Sequence, residues 1–170
     1  YSPFQGFPYF REAVANFYKR EYDVDLNPDE EVALLMGSKI GLFEVSQCFL
    51  NPGDTALLPN PGYPDYLSGV SLSDAHPAFM PLLAENGFLP DYDKISKETL
   101  EKAKMMFLNY PNNPTAAVAT PEFFDETVAL AKKHDIMVVH DFAYGAIGYD
   151  GVKQPSFLQS EGAKDIGIEM

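Results

Sequence analysis

An α/β fold built on a mainly parallel sheet is what this sequence predicts, on three observations. Short apolar runs recur along the chain with helix-patterned segments between them, the alternation that βαβ units produce. Two of those runs, Met105-Met106-Phe107-Leu108 and Ile136-Met137-Val138-Val139, stop abruptly at polar residues, as strands do where an open α/β sheet presents its ligand-binding groups. No internal repeat or low-complexity linker interrupts the pattern, and 170 residues is the length of about one domain.

The elements follow in order. A helix is expected from near Pro8, with Phe10, Ala13, Val14, Phe17 and Tyr18 on one face, and Asn27-Pro28-Asp29 breaks the chain after it. Residues 32–36 read as a strand, Gly37-Ser38-Lys39 as a tight loop, and residues 40–50 as a helix whose inner side carries Leu42, Val45, Ser46 and Phe49. Asn51-Pro52-Gly53-Asp54 ends that helix. Residues 55–58 form a further strand, and residues 60–64 are too rich in Pro and Gly to be anything but loop. From Tyr66 to Pro90 only Phe79 and Met80 fit a short strand. Between the two clearest strands lies a helix with Thr120 as N-cap, Pro121 at its first position, and Phe124, Val128 and Ala131 as core contacts. Residues 166–170 alternate like a strand with no turn after it, and the chain opens on Tyr1 rather than Met, so it reads as a piece of a longer protein.

A hydrophobic content of 46%, with 13 Phe and 10 Tyr, supplies a packed core, while no apolar run approaches the roughly 20 residues that cross a bilayer. A single cysteine, Cys48, makes no internal disulfide and lies on an apolar helical stretch where burial is expected rather than reactivity. With no basic-then-apolar leader, a reducing cytoplasm is the expected compartment. Twelve Lys+Arg against 25 Asp+Glu give a formal charge of -13, which repels phosphate backbones and anionic lipids at long range. Neither nucleic acid nor a membrane is an expected partner. A small anion remains compatible, because backbone N–H groups at a helix start act within a Debye length of about 10 Å.

Several positions carry chemistry. Gly37-Ser38-Lys39, between a strand and a helix, can turn N–H groups and a helix dipole on an anion; the alternative is an ordinary glycine turn. Tyr63, held among Pro61, Gly62 and Pro64, can lay its ring against another flat group; packing is the alternative, and Tyr66 is its rival as the exposed ring. Asn113, constrained between Pro111 and Pro114, offers both donor and acceptor, and an Asx turn is its alternative role. Asp141 ends four apolar residues, so its carboxylate meets the edge of the core, where an unpaired charge is costly; a helix N-cap is the alternative. Tyr144, three residues on, reaches the same place from a turn. His140 points to the opposite face of the strand and is expected to be a core or supporting histidine rather than a metal ligand.

Asn113-Pro114-Thr115 followed by Asp141-x-x-Tyr144 resembles the cofactor cradle of fold-type I pyridoxal-phosphate enzymes, aminotransferase class I/II, and the likeness runs along essentially the whole chain. Leu50-Asn51-Pro52-Gly53-Asp54, Asn60-Pro61-Gly62-Tyr63-Pro64-Asp65-Tyr66 and Phe88-Leu89-Pro90-Asp91-Tyr92 look most like the bacterial methionine-salvage transaminases, with LL-diaminopimelate aminotransferases nearby. The resemblance implies a three-layer sandwich in which residues 1–170 are part of the cofactor-binding large domain, the rest of that domain and the small domain being absent. It implies pyridoxal 5'-phosphate as cofactor, with Gly37, Ser38 and Lys39 at its phosphate, Tyr63 stacked on the ring, and Asn113 and Tyr144 at the phenolic oxygen. Asp141 would face the protonated ring nitrogen, and Tyr1 would cross to the phosphate of the neighbouring subunit in a homodimer.

The same resemblance implies a parent enzyme that moves an amino group from an amino acid to a 2-oxo acid by ping-pong transfer. A C–S lyase of the same fold type, or a non-catalytic fragment without bound cofactor, are the alternatives. No Ser-x-Ser-Lys-like segment is present, so no catalytic residue is assigned here: the Schiff-base lysine is expected beyond Met170, Lys39 is not that lysine, and residues 1–170 alone are expected to be inactive. One departure stands out. Where the family has Gly after Asn-Pro-Thr, this chain has Ala116, which carries a cost if the backbone there needs a positive φ.

Overall fold

A computed structural model describes residues 3–170, which form two compact units that meet in sequence between Gly37 and Ser38. Tyr1 lies outside the described residues.

In the first unit, helix α1 (Pro8–Tyr22) starts at the expected proline and ends where Asp23 turns left-handed, its N–H returning to the Lys19 and Tyr18 carbonyls. Its buried face is not the predicted one. Arg11, Ala15 and Tyr22 are buried, whereas Phe10 and Phe17 stay exposed. The guanidinium of Arg11 explains this: it donates to the Gly6 and Pro28 carbonyls, each at 2.8 Å, and to Asp29 Oδ1 at 2.6 Å, tying the helix to the loop around Pro28. Apolar periodicity cannot register a charged residue acting as the inward anchor. Residues 32–36 are irregular rather than the expected strand, because no backbone among the described residues supplies a ladder for them.

The second unit contains α2 (Ser38–Phe49), β1 (Thr55–Asn60), α3 (Pro64–Leu72), β2 (His76–Pro81), α4 (Lys97–Lys102), β3 (Ala103–Asn109), α5 (Pro121–His134), β4 (Met137–Asp141) and β5 (Gly167–Glu169). The five strands form one all-parallel sheet in the order β2-β1-β3-β4-β5. Strand alternation then builds two cores. Ala56, Leu58, Met105, Phe107 and Val139 face α2 and α3 through Leu42, Val45, Tyr66 and Val70. Leu57, Met106, Leu108 and Val138 face the other way, onto Phe123, Phe124, Val128 and Ala131 of α5 and onto Phe157. Helices on both faces of a parallel sheet make the predicted α/β three-layer sandwich.

Helix α5 matches its sequence reading closely, with the Thr120 hydroxyl accepting from the Phe123 N–H at 3.2 Å and Pro121 in the first turn. Three details of the other helices differ. Ser38 and Lys39 already belong to α2 instead of the loop before it. Phe49, its last residue, is 55% exposed, and Cys48 is exposed rather than buried. Cys48 sits two positions past the buried Ser46, roughly 200° around the helix and therefore on the outer side. Helix α3 fell partly in the stretch without a clear pattern, since nine residues with three inward positions, Tyr66, Gly69 and Val70, give too short a period to read.

Candidate functional site

The chain leaves β1 to form β2 on one side and returns to form β3 on the other, so strand order reverses between β1 and β3. A cleft of about 260 Å³ opens at the carboxyl ends of these strands, where open α/β sheets bind their ligands. Ser38 and Lys39 from the start of α2, Tyr63 after β1, Asn113 after β3, and Asp141 and Tyr144 at and after the end of β4 all line it, together with Leu42, Asn109 and Ala143. The predicted residues that can be placed in the second unit therefore converge.

Each is delivered by a local cause. Gly37 precedes α2 with φ 103, a conformation side chains other than hydrogen avoid, and it turns the chain into a helix whose first N–H groups have no intrahelical acceptor. A Cβ at Gly62 would collide with the Pro59 carbonyl, so the turn that presents Tyr63 requires glycine. Lys39 Nζ stands 5.6 Å from the Tyr63 ring centroid and 3.3 Å from Asp65 Oδ2. The Tyr63 hydroxyl and then the Asp65 carboxylate push the Lys39 ammonium up from its ordinary value, which keeps it cationic at neutral pH and unsuited to act as a nucleophile.

The rivalry between Tyr63 and Tyr66 resolves by burial. Tyr66 is 1% exposed, stacks on Phe107 with ring centroids 5.0 Å apart, and donates from Oη to Asp141 Oδ2 at 2.8 Å. Burial, reinforced by the Asp141 charge, pushes the Tyr66 phenol far up, so the proton stays on the tyrosine and the carboxylate accepts it. Asp141, 6% exposed, also takes a long contact at Oδ1 from the Ala143 N–H, 3.4 Å. A carboxylate has about four acceptor sites, and Asp141 keeps capacity toward the cleft. No helix follows it, which removes the N-cap alternative.

Asn113 and Tyr144 meet on the cleft wall, Nδ2 to Oη at 3.4 Å. The local turn is closed by the preceding residue instead: Asn112 Oδ1 accepts from the Thr115 N–H at 3.2 Å and from its hydroxyl at 2.7 Å. Ala116 does adopt a positive φ, 60°, and its N–H closes onto the Asn112 carbonyl at 2.8 Å. The ring of His140 lies in the opposite core, edge-on to Phe124 at 5.0 Å, with Nδ1 2.7 Å from Glu169 Oε2 and Nε2 3.2 Å from the Tyr110 carbonyl. Glu169 in turn accepts from the Ser156 hydroxyl at 2.6 Å and the Phe157 N–H at 2.8 Å.

Sequence reasoning missed Asn109 and the partnership of Tyr66 with Asp141. Asn109 had a visible signal, being the first polar residue after the apolar run of β3. The Tyr66 bond had none, because it joins residues 75 positions apart.

A carboxylate, an amide–hydroxyl pair, a partly exposed aromatic ring and a cation at a helix start suit a flat, anionic, nitrogen-containing ring compound, and known proteins point the same way. The profile of aminotransferase class I and II matches residues 1–165. The chain is 61% identical over 170 residues to the L-glutamine--4-(methylsulfanyl)-2-oxobutanoate aminotransferase of Bacillus subtilis (strain 168), a match covering 100% of this chain and 43% of that protein. It is 52% identical over 169 residues to the LL-diaminopimelate aminotransferase of Moorella thermoacetica, covering 99% and 43% of the two. Its fold superimposes on that of apo-BacF from Bacillus subtilis with a TM-score of 0.97 at 57% identity, over 99% of this chain and 45% of that one. It thus spans less than half the length of these relatives, yet nearly all of it is matched, and with the carboxyl-edge cleft described above the chain belongs to the aminotransferase class I and II family.

Proposed function

We propose that the parent protein is a pyridoxal-phosphate-dependent aminotransferase acting on an amino acid and a 2-oxo acid, and that residues 1–170, as part of its large domain, form the floor of the cofactor site. The convergence of Ser38, Tyr63, Asn113, Asp141 and Tyr144 on one cleft carries this reading, with support from relatives that are themselves named aminotransferases. The donor set fits the cofactor. Asp141 would hold the ring nitrogen, Asn113 and Tyr144 the phenolic oxygen, Tyr63 one face of the ring, and Gly37, Ser38 and Lys39 the phosphate. When bound, pyridoxal phosphate supplies the electron sink for a carbanion at the substrate's α-carbon.

The residues of this chain set up that chemistry. The Asp141 carboxyl group, fixed in direction by the Tyr66 hydroxyl, would face the ring nitrogen and favour its protonated form by charge pairing. Asn113 Nδ2 and Tyr144 Oη offer two donors to one oxygen, which orients the ring about the Asp141 contact. Lys39 keeps a positive charge beside the start of α2, where an anion also gains from the helix dipole. The lysine that exchanges with substrate is assigned to the segment beyond Met170. A homodimer and a cytoplasmic location are part of the same reading, supported by the family resemblance and the single exposed cysteine; among the described residues no helix is long and apolar enough to cross a membrane.

Borohydride trapping of the full-length protein with pyridoxal phosphate, followed by peptide mapping, tests the reading. The label is expected on one lysine beyond Met170, in a protein that transfers amino groups to 2-oxo acids. Stoichiometric labelling of Lys39, or a protein that takes up no cofactor, would overturn it.

A further inference from the structure

We infer that Asn109 is a positioning residue that sets the spacing between the two groups proposed to hold the phenolic oxygen and the ring nitrogen of the cofactor, Asn113 and Asp141; the inference rests on the cofactor reading above. Asn109 is the last residue of β3 and pairs in register with Asp141, the last residue of β4. Beyond that rung the two strands have no further ladder bond to hold them together. The Asn109 side chain takes over there. Its Nδ2 donates to the Asp141 carbonyl at 2.8 Å, and its Oδ1 accepts from the Asn113 N–H at 2.7 Å.

The two partners fix the amide's orientation without ambiguity, because a carbonyl only accepts and an N–H only donates, so a flipped amide would lose both bonds. Asn109 is 2% exposed, and it lines the cleft beside the residues it holds. Both of its bonds go to the main chain of a proposed cofactor-binding residue, which leaves the Asn113 amide and the Asp141 carboxylate available to the ligand. Serine is too short to span both partners. Aspartate keeps the acceptor for Asn113 but presents a second carboxylate oxygen to the Asp141 carbonyl, turning attraction into repulsion.

The test uses the full-length protein and pyridoxal phosphate itself, with the dissociation constant measured by equilibrium dialysis and the melting temperature measured alongside. Asn109→Ala is expected to weaken binding about tenfold, the loss of two buried hydrogen bonds each contributing roughly threefold through one ligand residue. In an Asn113→Ala background the same change is expected to cost only about threefold, because the share transmitted through Asn113 is already gone. A merely structural role would give the same factor in both backgrounds, and that additivity would overturn the inference, as would wild-type affinity in Asn109→Ala. Should Asn109→Ala not fold, Asn109→Asp carries the test at the same expected tenfold, and wild-type affinity there overturns the inference equally. Unchanged affinity in Asn113→Ala alone would overturn the cofactor reading, and this inference with it, whereas additivity overturns the inference alone.

Discussion

His140 and Asp141 are neighbours on one strand, both buried, and they teach opposite lessons about buried polarity. On the α5 side, His140 spends both ring nitrogens, one on Glu169 and one on the Tyr110 carbonyl, and Glu169 is further engaged by Ser156 and Phe157. Because the Tyr110 carbonyl can only accept, Nε2 is the donor in that contact, and Nδ1 faces Glu169. The pair is closed. On the α2 and α3 side, Asp141 meets the Tyr66 hydroxyl and a long backbone contact, and retains acceptor sites that open on the cleft. Burial alone does not separate a structural polar residue from a functional one; unspent hydrogen-bonding capacity directed at a cavity does.

The strongest challenge to that contrast is substitution of both residues in the full-length protein. Asp141→Asn is expected to leave the fold intact and to lower kcat by about three orders of magnitude, roughly 4 kcal/mol of transition-state stabilisation. Near-normal turnover with full cofactor occupancy would erase the distinction. His140→Leu should do the reverse, costing about 3–5 kcal/mol of stability by taking the imidazole away from the buried Glu169 carboxyl group, while the fraction that stays folded retains its kcat. Denaturant melts check it, and the double variant His140→Leu/Glu169→Met should recover most of the loss if the pair is structural.

A finer probe is alkaline pH. Burial pushes the phenols of Tyr66, on the cleft side, and of Tyr92 and Tyr110, on the other, well above the ordinary value near 10. A folded pKa above the unfolded one means that stability is whole below about pH 10 and is lost as pH rises beyond it. The expected slope is about 1.4 kcal/mol per pH unit for each such tyrosine, and Tyr66→Phe should remove one share of it. An unchanged slope in Tyr66→Phe melts would place Tyr66 in a wetter site than described. The smallest effect lies in the loop whose Tyr110 carbonyl serves His140 and whose Asn113 serves the cleft. Ala116→Gly should raise stability by about 0.5–1 kcal/mol, because φ 60 suits glycine, and a drop in melting temperature would contradict that backbone conformation.

What could be read from the sequence divides along similar lines. Tyr63, Asn113, Asp141 and Tyr144 were legible because each follows an apolar run, and strands that end in polar residues announce the edge of a sheet. Helix α5 was legible because its cap and its period agree. The inward Arg11 was not, since its burial depends on carbonyls and a carboxylate supplied by the segments before and after the helix. Residues 32–36 have the composition of a strand, but a strand needs a partner, and pairing is a property of the fold rather than of the segment. Asn109 showed as the first polar residue after its apolar run, but its partner on β4, like that of Tyr66, lies far along the chain and is not legible from the segment itself.

The all-parallel sheet has a consequence in time as well as in space. Parallel neighbours cannot be joined by a tight hairpin, and the bonds that shape the cleft close chain loops of 32 residues, from Asn109 to Asp141, and 75 residues, from Tyr66 to Asp141. Such contacts form late and slowly, because loop-closure entropy is lost before any of them can contribute. A ligand that bridges β1, β3 and β4 therefore finds no binding surface on a half-folded chain. It leaves the rate of folding unchanged and acts on the finished state, where each tenfold excess over its dissociation constant slows the loss of native protein by a further factor of about ten.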